Sequence, residues 1–152
     1  MSLNFADIAG KKMAEAERPP LPPVGTYRFR VTKLPEASTT TNGEWDILTI
    51  NCRAVEALDD VDRSDYKGEV TGILQQVKFM FNKNDEVEFQ KSEFNARRFF
   101  EAHVKCATPE DTFGQAMNNS VNAEFLGSIV WKQDKNDPEI FHANIGRTAP
   151  VE

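Results

Sequence analysis

The strongest pattern along the chain is a twofold alternation of apolar and polar residues. From Thr26 to Leu34, Tyr27, Phe29 and Val31 take one parity and Arg28, Arg30 and Thr32 the other, as in a strand buried on one face. Pro35 ends that run, and Ser38 to Gly43, closing on Asn42-Gly43, is a loop with a turn signal. A second strand is predicted over Trp45 to Ala57, with Leu48, Ile50, Cys52 and Ala54 on the apolar face and Trp45, Thr49, Asn51 and Arg53 opposite. A third runs from Val70 to Asn82, where Ile73, Val77, Phe79 and Phe81 oppose Gln76, Lys78 and Met80. Alternation returns over Val121 to Lys132 and over Ile140 to Ile145, on either side of an Asp134–Pro138 turn.

Between the third and fourth strands the period lengthens. Ala96, Phe99, Phe100, His103, Val104 and Ala107 fall at helical spacing, with Ser92 as the expected N-cap and Arg97–Glu101 and Glu101–Lys105 spaced to pair. Thr108-Pro109-Glu110-Asp111 reads as the start of a second, short helix. Residues 1–18 give a marginal amphipathic helix through Phe5, Ile8 and Ala9, and the proline-rich run to Pro23 cannot continue it. The expected organisation is therefore an N-terminal arm with a Pro-rich linker (1–23) and one domain (24–152). Strand, strand, strand, helix, strand, strand is the order of a five-stranded OB-like Greek-key barrel, mainly β with one or two helices. Glycines inside strands, at Gly72 and Gly127, fit tight coiling of such a barrel. A flattened sandwich or another α+β fold with one covering helix gives the same string.

Composition narrows the function classes. The 152 residues suffice for one core, and no run approaches the ~20 apolar residues of a membrane span. The first residues lack a secretory layout, so the expected location is the cytoplasm, that of a host cell if the chain is phage-encoded. Cys52 and Cys106 are far apart and show no ligand spacing with His103 or His142, so two reduced thiols are expected, with no metal and no cofactor. His103 falls on the buried face of its helix. No phosphate loop, His-Glu-x-x-His or Gly-x-Ser-x-Gly is present, and the chain is not read as an enzyme. Asp60, Asp62 and Ser64 echo the opening of a calcium loop, but its glycine and flanking helices are missing, which leaves a solvated acidic loop.

The net charge of −6 counts against a simple basic nucleic-acid binder, but its distribution matters more. Acids crowd residues 56–69, whereas the outward face of the first three strands gathers Arg28, Arg30, Trp45, Asn51, Arg53, Gln76 and Lys78. Cations that track phosphates, a flat ring and adaptable amides are what a single nucleic-acid strand needs. Any antiparallel sheet wet on one side also carries polar and basic residues there. Trp131 shares parity with Phe125 and Ile129 and is expected at the core or barrel rim. Lys132, Lys135 and Arg147 are ordinary surface charges unless they line the same groove.

Several segments carry a family resemblance. They are Leu21-Pro-Pro-Val-Gly25-Thr-Tyr-Arg-Phe-Arg-Val, Trp45-Asp-Ile-Leu-Thr-Ile, the Lys67-Gly68 turn, Phe79-Met-Phe-Asn82, Val121-Asn-Ala-Glu-Phe-Leu-Gly127, Trp131-Lys and Asn144-Ile145. Over residues 21–147 the chain resembles phage-encoded single-stranded DNA-binding proteins built on the OB fold. The resemblance implies a non-catalytic protein of replication and recombination that coats exposed single strands and recruits replication or recombination proteins. Single-stranded DNA is the expected partner, with RNA and self-association left open and no membrane involved. Many such proteins end in a long acidic tail, whereas this sequence ends Gly146-Arg-Thr-Ala-Pro-Val-Glu152; the acidic loop or the arm would then serve in its place. The alternative is a protein-interaction or virion-structural module without nucleic-acid binding. A metal-dependent hydrolase is a third reading, which requires a bound metal.

Overall fold

The computed structural model describes residues 4–15 and 20–152. Six strands, β1 (Gly25–Val31), β2 (Glu36–Thr39), β3 (Trp45–Ala57), β4 (Leu74–Asn82), β5 (Glu124–Gln133) and β6 (Phe141–Ala149), form one antiparallel sheet. The order across it is β2-β3-β1-β5-β6, with β4 paired to β3. The thirteen residues of β3 are long enough to serve three partners. β2 pairs with Asp46 to Thr49 and β1 with Cys52 to Ala57, while β4 runs beside Trp45 to Arg53.

The alternation places the core. Tyr27, Phe29, Val31, Ile50, Ala54, Phe125 and Ile129 are fully buried, and the Phe29 and Phe125 rings stack with centroids 5.8 Å apart. Helix α2 (Glu86–Arg98) runs on into a π-helical turn, Phe99–His103. Its wider winding, closed by Val104 N–H on the Phe99 carbonyl at 2.8 Å, carries the consecutive Phe99 and Phe100 both to 1% exposure. Phe99 then meets Phe125 edge-on, with centroids 5.1 Å apart. A short helix, α3 (Phe113–Ser120), follows, and α1 (Phe5–Ala9) with a 3₁₀ turn (Met13–Glu15) makes up the described part of the arm.

The fold is mainly β with few helices, but several expectations are corrected. The sheet has a sixth strand, β2, and it is not closed into a barrel: no ladder joins β4 to β6. Helix α2 starts six residues before the expected cap, because Asp85 rather than Ser92 accepts from the first-turn amides, of Val87 and Glu88. Ser92 instead donates to the Met80 carbonyl at 2.7 Å, pinning the helix on β4. The next helix starts at a capping box of Thr112 and Gln115, not at Thr108. Gly72 lies in the turn before β4 at φ +96°, outside any strand. Gly127 does sit mid-strand, where an added Cβ would lie 3.0 Å from the Phe29 ring, next to a register shift at Ser128/Ile129. Of the helix expected over 1–18, residues 1–3 and 16–18 lie outside the described residues, and the described part breaks at Gly10.

The entry to β1 is held from both sides. Trp131, half-exposed at the sheet rim, donates its indole N–H to the Pro22 carbonyl at 2.7 Å, and the buried Tyr27 hydroxyl donates to Pro23 at 2.6 Å. Gly25 sits at φ +144°, where an added Cβ would come within 2.6 Å of the Val61 side chain, so both backbone and packing require glycine. Asp60 of the acidic loop accepts from the Thr26 amide at 2.9 Å and hydroxyl at 2.8 Å. These bonds hold its carboxyl below the usual carboxylate range. Among the described residues, no helix is long and apolar enough to cross a membrane.

Candidate nucleic-acid interface

The unclosed side of the sheet is the site. At one end the gap between β4 and β6 is plugged by the π-helical turn, whose His103 Nδ1 lies 2.6 Å from the Thr148 hydroxyl. The remainder is a groove of about 1200 Å³. Leu74, Gln76, Lys78 and Met80 from β4 and Asn51 from β3 form one wall. Val130 and Lys132 from β5 and Ala143 to Gly146 from β6 form the other, with Thr32 and Lys33 at one lip. Asn51 and Gln76 face each other in register, and the Gln76 amide donates to Asn51 Oδ1 at 3.0 Å. That pairing leaves further amide donors and acceptors on both residues for a ligand.

The electrostatics of this groove differ from those of the molecule. Three lysines line it and no carboxylate does, in a chain of net charge −6. Lys33 pairs with Glu36 at 2.7 Å on the exposed lip, a contact worth little in water. Lys78 and Lys132 have no ion-pair partner among the described residues. Leu74, Met80 and Val130 are 67%, 46% and 40% exposed, an apolar platform beside the charges. Cys52 borders the floor yet is buried, which pushes its thiol up to about 12 and leaves it a packing group.

The seven residues singled out from the sequence do not form one patch. Asn51, Gln76 and Lys78 line the groove. Arg30 and Arg53 lie next door, in a pocket of about 440 Å³ that shares Thr32 with it. Arg28 is tied up by Glu56 at 3.1 Å and Glu124 at 3.0 Å, and its Nε is buried without a partner. Trp45 lies opposite Asn82 at the far end of β3, roughly 20 Å from Asn51 at strand spacing, and no aromatic ring lines the groove. The expected flat ring beside the cations is thus replaced by aliphatic side chains.

Sequence reasoning left several participants unplaced. Lys132, expected as a surface charge unless it lined the groove, does line it because β5 and β6 form the second wall, and Ala143 to Gly146 join through the same strand pairing. Glu124 was visible only as an outward position of β5. It stands opposite Arg30 in register and accepts from Arg30 Nε at 3.0 Å and Nη2 at 2.7 Å as well as from Arg28. Among the described residues no cluster of His, Cys, Asp and Glu is placed to hold a metal. No protein-family model matches the chain, and no curated protein matches it.

Proposed function

We propose that the protein binds single-stranded nucleic acid, DNA foremost, without catalysis, along the groove between β4 and β6. The observation that carries this reading is a lysine-lined, carboxylate-free groove on an acidic molecule. Because low-dielectric walls focus a local field, such a groove attracts a polyanion even when the net charge is negative. Lys78 on the β4 wall and Lys132 on the β5–β6 wall supply cations for successive phosphates of a strand. Leu74, Met80 and Val130 supply apolar contact for exposed base faces, and Asn51, Gln76 and Asn144 accept varied base edges without demanding a sequence. The resemblance to phage single-stranded DNA-binding proteins supports a role in phage-type replication or recombination, with aliphatic contact in place of ring stacking.

The test is fluorescence anisotropy of labelled oligo-dT at low salt, competed by unlabelled oligo-dT, poly-U and duplex DNA. Oligo-dT competes, duplex competes poorly, and Lys78→Ala and Gln76→Ala weaken binding; poly-U reports whether RNA is accepted. No anisotropy change at low salt, or equal competition by duplex, overturns the reading. The first outcome, with a co-purifying protein, selects a protein-interaction module instead.

A further inference from the structure

Arg30 and Arg53 sit directly opposite each other on β1 and β3. Like charges at facing positions repel and destabilise a sheet, so this pair works against the fold it belongs to. Glu124 neutralises Arg30 through two hydrogen bonds but is already shared with Arg28. Arg53 is exposed and has no ion-pair partner among the described residues. Two loops are fastened over this pair. Gly72 N–H and the Ile73 carbonyl bond to Ala54 at 2.7 and 2.9 Å, which brings Thr71 alongside Arg53 and Ala54 of β3. Asn122, at φ +69°, donates its amide to the Val31 carbonyl at 2.9 Å, which brings its side chain to the end of β1. The open pocket between them, about 440 Å³, is lined by Arg30, Thr32, Arg53, Thr71 and Asn122 among others, and no carboxylate lines it. Neither the Thr71 hydroxyl nor the Asn122 side-chain amide has a hydrogen-bond partner among the described residues.

We infer that this pocket is a phosphate subsite, in which a phosphate group of the bound strand is held between Arg53 and Arg30 with Thr71 and Asn122 as neutral donors. The inference rests on the proposed single-strand binding and extends it. Thr32 belongs to both linings, so a strand leaving the β4–β6 groove passes over Thr32 into the pocket. A bound phosphate replaces guanidinium repulsion with bidentate attraction, the geometry for which arginine is suited. The phosphate is either an internal one of a strand long enough to cross Thr32 or the terminal phosphate of a shorter one.

The experiment compares wild type, Arg53→Gln and Lys78→Ala on oligo-dT of about four and about twelve nucleotides, the span of single-strand sites on small β modules. Each oligonucleotide is used with and without terminal phosphates. For an internal phosphate, Arg53→Gln weakens the long oligonucleotide roughly five- to tenfold and lowers its logarithmic salt slope by about 0.7, leaving the short one within twofold. For a terminal phosphate, the Arg53 dependence appears on the short oligonucleotide only when it is phosphorylated. In both cases Arg53→Gln leaves Tm equal or higher, since it removes the repulsion, an outcome opposite to that of a merely structural arginine. Binding that is sensitive to Lys78→Ala but unchanged by Arg53→Gln on every oligonucleotide overturns the subsite and leaves the groove standing. Wild-type protein that binds none of them overturns both.

Discussion

Glu124→Gln is predicted to move stability and affinity in opposite directions. The carboxylate accepts three hydrogen bonds at 2.7–3.0 Å from two guanidinium groups, and its side chain is only 22% exposed. Bonds to charged groups contribute about 1.5–3 kcal/mol each when shielded. Here Arg28 and Arg30 are 35% and 51% exposed, so solvent discounts them strongly. Glutamine keeps one acceptor oxygen but turns an amide donor toward the guanidiniums. A net loss of about 1–2 kcal/mol follows, read as a lower urea midpoint at constant slope. In the same protein, the carboxylate no longer neutralises Arg30, which lines the pocket beside the groove. Affinity for a long oligo-dT at low salt then rises several-fold, and its salt dependence steepens by about 0.7 for each arginine that engages a phosphate. Unchanged stability would show that Glu124 does not organise the arginines. A loss of affinity alongside stability would show that the carboxylate holds them for the ligand, contrary to the charge account.

Two further predictions concern the scaffold. Gly25→Ala forces φ +144° on a residue with a Cβ and drives that atom into Val61, so it destabilises by about 2–4 kcal/mol in urea unfolding; a loss under 0.5 kcal/mol refutes the close approach. Burial, then the nearby Arg98 charge, lowers the His103 pKa below its usual 6.5. The unfolded chain therefore binds the proton first, so stability is unaffected above about pH 6.5 and declines as pH falls from there toward the folded-state value. His103→Gln should flatten that part of the pH–stability profile, and a profile identical to wild type refutes the assignment.

How much of this was legible in the sequence depended on whether a strand has a buried face. β3 runs from Trp45 to Ala57 as its alternation implies, because Leu48, Ile50, Cys52 and Ala54 are all buried. β2 was invisible: Glu36 to Thr39 are all exposed and are held by backbone pairing to β3, which leaves no periodic signal. The first half of α2 was missed for the same reason, since Glu86 to Lys91 are all exposed except the half-buried Phe89. Parity placed the candidate site residues outward correctly, but parity does not say which strands are neighbours. That is why the hold of Glu124 on Arg28 and Arg30 went unseen, and why Trp45 was grouped with residues far along its own strand. Closure of the sheet depends on the relative placement of β4 and β6, which no alternation encodes.

The central claim is that cations in the β4–β6 groove engage phosphates. It is tested most directly by measuring, between 50 and 200 mM salt, the affinity of an oligo-dT too short to reach Arg53, for wild type and for Lys78→Ala/Lys132→Ala. Three lysines at about 0.7 each give a logarithmic slope near −2, a roughly twentyfold loss over that range, and removing two of them takes the slope to about −0.7. Affinity that does not vary with salt, or a slope that the double substitution leaves unchanged, would contradict it.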